Sequence, residues 1–191
     1  MDIRNFIRMK SKKVLLILIV SLFIFSFKSI SRRFYNKRFF NSELSGTPYI
    51  IIDKSDYELK IYDDDGWYAT YPVVFGSKDL SDKMMEGDRR TPEGTFKIIA
   101  KRPHEKWQRM LLLDYPTPMD IAKFNQRKSQ GKLPATAKIG GGIGIHGTWP
   151  RDEIAVDYFQ NWTNGCVSMK REEIMEVYRL IPLGTRVTIR R

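Results

Sequence analysis

From Pro48 onward, apolar and polar residues alternate in short runs. Tyr49, Ile50, Ile51 and Ile52 form one β run, and residues 53–56 turn the chain. Residues 57–62 alternate, with Tyr57, Leu59 and Ile61 on one face, as a half-buried strand requires. Asp63-Asp64-Asp65-Gly66 is a hairpin signal, and residues 67–75 supply a third strand. Three strands joined by tight turns predict a meander. Pro92 and Gly94 mark a loop that runs into a strand over residues 95–100, and residues 110–115 are another apolar run. Residues 119–129 read as a polar helix. Residues 170–180 read as an amphipathic one, with Ile174, Val177, Tyr178 and Ile181 on one face and Glu172, Glu173, Glu176 and Arg179 elsewhere. Pro182 and Gly184 stop that helix, and residues 185–189 form a last strand. The pattern predicts a mainly β domain over residues 46–191 with two or three short helices, a usual single-domain size.

One run breaks the alternation. Residues 14–27 are apolar except for Ser21 and Ser26, with basic residues on both sides. A helix over residues 14–30 spans about 26 Å at 1.5 Å per residue, close to a hydrocarbon core of ~30 Å. Lys28 can snorkel to close the gap. The length also suits a signal-peptide core, but the exit is bulky (Phe25, Phe27, Ile30) and no small-residue cleavage site follows. The preferred reading is a basic N-terminus over residues 1–13 and an N-terminal apolar helix over 14–30, serving as an uncleaved transmembrane anchor. A polar, basic linker over 31–45 follows, lying along a membrane surface or simply disordered. The catalytic part is then extracytoplasmic, although flanking charge does not orient the segment.

Charge changes this picture in one respect. The net charge is +11, but residues 1–40 hold ten Lys/Arg and one acid, and the rest holds 23 against 21. The basicity belongs to the leader, so the basic face that a nucleic-acid partner needs is missing and none is expected.

The candidate chemistry lies between Ile143 and Met169. This stretch contains Cys166, the only cysteine, and His146, one of two histidines, 20 positions apart. A thiolate that attacks a carbonyl and an imidazole that takes and returns the proton are the minimum parts of a thiol nucleophile. The thiol needs a cation or a helix N-terminus nearby to ionise. His146 can supply the first, and Ser168 to Arg171 reads as the start of a helix. Gly165 permits close approach, as an oxyanion hole of backbone N–H groups requires. Gly147 does similar work after His146 or only ends a strand. A lone cysteine is ordinarily inert core filler, but Cys166 sits among Gly and aromatic residues rather than in an apolar run. His146 is oriented by a backbone carbonyl or by Asp152, Asp157 or Asn161.

The segment resembles the L,D-transpeptidases (YkuD-type). His146, sixteen residues, then Thr163-Asn164-Gly165-Cys166 repeats their histidine, variable stretch and Ser/Thr-His-Gly-Cys. Two positions depart: Asn164 replaces the second histidine, and Ser168 stands where an arginine often follows the cysteine. Thr91-Pro92-Glu93-Gly94-Thr95-Phe96 matches a T-P-x-G-x-F element, and Tyr115-Pro116 is followed by a short helix and a Gly-rich approach. The resemblance implies a β-sandwich of mixed sheets. It also implies a reaction through a thioester on peptidoglycan stem peptides, with terminal D-Ala leaving and an amine accepting. It places Gly165, Asn164, Gly147, Thr148, Ser168 and Tyr115 around oxyanion and substrate. A hydrolase with the same residues, a non-catalytic wall-binding module and a cytosolic thiol enzyme are the alternatives.

The remaining motifs are read more plainly. The Gly140–Gly144 run lacks the Lys-Ser/Thr of a phosphate loop and is a flexible entry to the site strand. Residues 149–162 are a loop long enough to act as a lid. Asp63 to Asp65 is a turn rather than a metal loop. His104 is exposed on a polar loop, and Arg89 and Arg90 are a solvated pair or meet a substrate carboxylate. No metal and no cofactor is expected.

Overall fold

The alternating runs become strands with every second residue buried. Strand β2 (Tyr49–Asp53) buries Ile50 and Ile52, β3 (Glu58–Asp63) buries Leu59 and Ile61, and β9 (Arg186–Arg190) buries Val187 and Ile189. Each such side chain contributes roughly 1.5–3 kcal/mol on leaving water. The computed structural model describes residues 36–38 and 43–191, all within one compact unit, Arg33–Arg191. The apolar run at residues 14–30 lies outside the described residues. Among the described residues no helix is long and apolar enough to cross a membrane.

The other strands are β1 (Asn36–Lys37), β4 (Gly66–Pro72), β5 (Gly94–His104), β6 (Gln108–Leu113), β7 (Gly144–Gly147) and β8 (Val167–Met169). The helices are α1 (Pro118–Ser129), α2 (Ile154–Asp157) and α3 (Arg171–Leu180). The strands hydrogen-bond in the order β1-β4-β3-β2-β9-β5-β6-β7-β8. The β2–β9 and β7–β8 pairs are parallel and the rest antiparallel. The mixed pairing implied by the resemblance is present, but the two halves are continuous. Gly94 to Lys97 of β5 pair with β9, and from Ile98 onward the same strand pairs with β6. A register shift between Ile98 and Ala100 bends β5 where it changes partner. One buried cluster draws from both halves, including Ile50 and Leu59 on one side and Leu111, Ile145 and Val167 on the other.

Four local readings change. The stretch taken as a linker contains β1, with Asn36 opposite Thr70 and Lys37 opposite Ala69. Arg38 donates two hydrogen bonds to Asp63 (3.1 and 2.8 Å), and Lys37 pairs with Glu176 at 2.9 Å. Its basic residues therefore serve an edge strand with carboxylates to meet. Asp63 is consequently a structural carboxylate, held below the usual range by Arg38 and also accepting from the N–H of Ser45 and Asp65. The strand expected at residues 95–100 runs on to His104, which turns the supposed exposed loop into a β5–β6 hairpin. Ser168 does not begin a helix. Val167, Ser168 and Met169 are all buried and complete a ladder with β7, while Val74 bridges Ser168 from the other side. The helix starts only at Arg171, so a strand of roughly 10 Å separates its N-terminus from Cys166.

Helix α1 starts where its sequence directs. The Thr117 hydroxyl accepts from the N–H of Asp120, the Asp120 carboxylate accepts from the N–H of Thr117, and Pro118 opens the first turn. Helix α3 buries Ile174 and Val177 across β6 and β7 and so backs the strand that carries His146.

Candidate active site

Strands β7 and β8 bring the two candidate residues near each other. They run parallel with Ile145 beside Val167 and His146 beside Ser168. One step back along both places Cys166 beside Gly144, so by alternation Cys166 and His146 lie on the same face. Strand spacing and two residue rises put their Cα atoms about 8 Å apart.

The His146 ring is buried, and its Nδ1 lies 2.8 Å from the carbonyl oxygen of Gly147. A carbonyl only accepts, so Nδ1 carries the hydrogen and Nε2 presents a lone pair. The orienting group is thus the carbonyl of the next residue. Of the side chains considered, Asn161 instead joins Phe75 N, the Tyr57 hydroxyl and Ser77 O, and Asp157 pairs with Lys170 at 2.7 Å. Gly147 lies against Trp107, whose carbonyl accepts its N–H at 3.0 Å, and a Cβ at Gly147 would stand 2.7 Å from that oxygen. Burial pushes the imidazole down to about 4, against a smaller opposing effect of the Gly147 hydrogen bond.

The Cys166 thiol is partly exposed and donates to Gly142 O at 3.6 Å. Loss of surrounding water pushes it up, and the Gly144 backbone and the Lys83 charge pull it back in part. Lys83 is buried and paired with Asp88 at 2.7 Å. The pair therefore rests as a thiol and a neutral imidazole. The expected cation is not His146, because burial disfavours its charged form. The glycine run does more than lead into the strand, since its backbone brackets the sulfur.

The neighbouring residues divide into three kinds. Asn164 is exposed, two positions before Cys166. Gly165 has φ +118, and a Cβ there would meet Arg90 O at 2.7 Å, so only glycine fits. Its N–H, expected to face an oxyanion, donates instead to the Thr163 hydroxyl at 3.1 Å, which in turn donates to Cys166 O at 2.7 Å. Thr148 and Ser168 are fully buried next to His146, and their hydroxyls have no protein partner among the described residues. Tyr115 sits in the core against Phe96, its hydroxyl on Ile139 O at 3.4 Å. Arg90 pairs with Asp79 at 2.6 Å, and Arg89 donates through Nε to Thr163 O at 3.2 Å.

Replacing Gly165 by alanine forces a side chain into a left-handed position against a backbone carbonyl. The expected cost is roughly 1–3 kcal/mol, read as a lower thermal midpoint. An unchanged midpoint shows that the loop yields without strain.

Sequence reasoning missed the aromatic surround. Trp107 stacks on His146 with centroids 4.3 Å apart, His104 stacks on the far face of Trp107 at 4.1 Å, and Trp162 meets His146 edge-on at 5.5 Å. Trp149 packs against Trp162 at 6.0 Å. The loop expected to be a lid is stitched down. Trp162 N–H donates to Phe75 O, and the Glu153 carboxylate accepts from Arg171 N–H.

The fold and the paired side chains define a mainly β domain with few short helices, built around one thiol and one imidazole. Residues 47–189 match the L,D-transpeptidase catalytic domain family, YkuD, and the chain belongs to that family. YqjB of Bacillus subtilis (strain 168), whose name assigns it to the L,D-transpeptidases, is 29% identical over 150 residues, covering 76% of this chain and 73% of that one. The helical cell shape determining protein Pgp2 from Campylobacter jejuni superposes with a TM-score of 0.56 at 23% identity, covering 84% of this chain and 50% of that one. Bd1075 of Bdellovibrio bacteriovorus gives 0.50 at 18%, covering 76% and 47%. This chain spans about half the length of these solved structures, and the likeness to them is one of fold.

Proposed function

We propose that the domain is a cysteine-dependent L,D-transpeptidase acting on peptidoglycan stem peptides. The observation that carries this reading is the shared face of Cys166 and His146, with Nδ1 held on Gly147 O so that Nε2 is the base. The thiol turns from Gly142 O to Nε2 and gives up its proton. Sulfur then attacks the carbonyl before the terminal D-Ala, and the C–S bond forms. The imidazolium returns the proton to the leaving nitrogen as the C–N bond breaks, which releases D-Ala and leaves a thioester. An amine of a second stem attacks the thioester, its proton passes through Nε2 to the departing sulfur, and a new peptide bond results. Gly165 N–H is engaged by Thr163, so the N–H of Cys166 itself is the backbone donor nearest the developing oxyanion. One such donor typically lowers the barrier by about 3 kcal/mol.

Asn164, exposed two positions before Cys166, and Arg89, fixed on Thr163 O, border the substrate in this scheme. The apolar run at residues 14–30 anchors the domain outside the cytoplasm, where its substrate is found.

Purified tetrapeptide muropeptides test the reading. Incubation with the protein is expected to release D-Ala and to yield cross-linked dimers, resolved by chromatography and mass spectrometry. Tripeptides without dimers assign the same residues to hydrolysis, and unchanged muropeptides reduce the domain to a binding module.

A further inference from the structure

His146 presents an electrostatic problem that its polar contacts do not solve. Its proton-carrying role requires an imidazolium in each step of the proposed reaction, yet the ring is buried and its one hydrogen bond goes to an uncharged carbonyl. Among the described residues no carboxylate hydrogen-bonds this ring. Burial alone disfavours the charged form. What surrounds the ring instead is aromatic. The Trp107 indole lies over it with centroids 4.3 Å apart and planes 21° from parallel, and Trp162 approaches its edge at 71°. A cation within about 6 Å of an indole face is attracted by the ring quadrupole, most strongly where water is excluded.

Trp107 is itself held firmly. His104 covers its other face at 4.1 Å and 13°, and His104 Nδ1 accepts from the N–H groups of Lys106 and Trp107 at 3.3 Å each. The Trp107 carbonyl accepts from Gly147, the residue whose own carbonyl fixes His146. Arg171 closes the assembly by donating to Lys106 O and Thr148 O. The charged groups near the stack are Lys106, over Trp149 at 5.5 Å, Arg171 on the hairpin backbone, and the Glu153 carboxylate on the Arg171 N–H, while His104 on the far face presents Nδ1 as an acceptor. No carboxylate hydrogen-bonds the ring among the described residues, so besides the Gly147 carbonyl the π face is the neighbour that favours its positive form.

We infer that Trp107 is a positioning residue for the proposed reaction: its indole fixes the plane of the His146 ring and stabilises the imidazolium formed when Nε2 takes the Cys166 proton. The stack takes the place of the carboxylate that catalytic histidines commonly lean on. This inference rests on His146 carrying the proton. It predicts that the electron density of the indole, not only its shape, sets the turnover number.

Tryptophans bearing increasing numbers of ring fluorines, incorporated at position 107 alone, preserve shape and deplete the π face. The turnover number is expected to fall stepwise, by about tenfold at the most fluorinated ring, with KM changed less than about twofold. The NMR titration midpoint of His146 is expected to move further down in the same order. Trp107→Phe keeps a weaker π face and retains most activity, whereas Trp107→Leu loses about thirtyfold. A turnover number and midpoint that stay flat across the fluorinated series, or an effect confined to KM, overturn the assignment. If the unmodified protein turns over no muropeptide, the proposed reaction falls. The His146 midpoints across the series still decide whether the indole stabilises the charged ring.

Discussion

Cys166→Ala is expected to abolish D-Ala release and dimer formation from muropeptides, a loss of at least ~10⁴-fold, with the fold intact. The magnitude follows from the lack of a substitute. Cys166 is the only thiol in the chain, and the hydroxyl-bearing residues flanking His146 in the β7–β8 ladder and along its strand, Ser168 and Thr148, are fully buried. Stability should change little, because the sulfur is partly exposed and makes one long hydrogen bond to Gly142 O. Circular dichroism and the thermal midpoint check this part, so a lost activity is not mistaken for a lost fold. Turnover in the variant equal to that of the parent ends the thioester scheme.

His146→Gln is expected to lower turnover by ~10³-fold or more and to change the response to acid. An unfolded histidine binds its proton near pH 6.5, whereas His146 in the fold resists protonation down to about 4. Between those values the unfolded chain holds more protons, so falling pH favours unfolding. The stability that a neutral His146 confers is present above about 6.5 and is lost through the window to pH 4, on the order of 3 kcal/mol in all. Glutamine has no proton to gain there, so the variant should lose less stability on acidification. In the parent, the base form survives through the same window. The acid limb of activity should therefore lie near 4 rather than near an ordinary histidine value. Urea unfolding at several pH values and a pH–rate profile measure both. Turnover within tenfold of the parent removes His146 from proton transfer.

Much of the frame was legible because it depends on local periodicity. Leu59 and Ile61 announce a half-buried strand, Thr117-Pro118 with Asp120 announces a helix start, and Pro182 with Gly184 announces its end. The reactive pair was legible from residue type and spacing. What escaped notice depends on long-range pairing. A two-residue edge strand such as Asn36–Lys37 has no period to read. Ser168 is polar and precedes a helix, yet the ladders to β7 and Val74 claim it. The partnership of Trp107 with His146 arises because β6 lies antiparallel to β7 with Met110 opposite His146, which carries the end of the hairpin over the ring. The available signal was compositional. The chain has two histidines and four tryptophans, and His104 lies three positions before Trp107. The polarity of Arg102, Glu105 and Lys106 concealed it by suggesting exposure.

Strand β9 comes last in chain order but stands fifth of the nine described strands, between β2 and β5. The β2–β3–β4 meander and the β5–β6 hairpin can each form from neighbouring residues, and the strand that hydrogen-bonds to both, residues 186–190, comes after them in the chain. Parallel pairing over such a separation is slow, because a long loop must close before any contact rewards it. Before residues 186–190 pair, the two half-sheets lack the strand that lies between them and expose apolar side chains. Closure of the sheet is therefore set by when residues 186–190 pair with both halves, not by how fast either half forms alone.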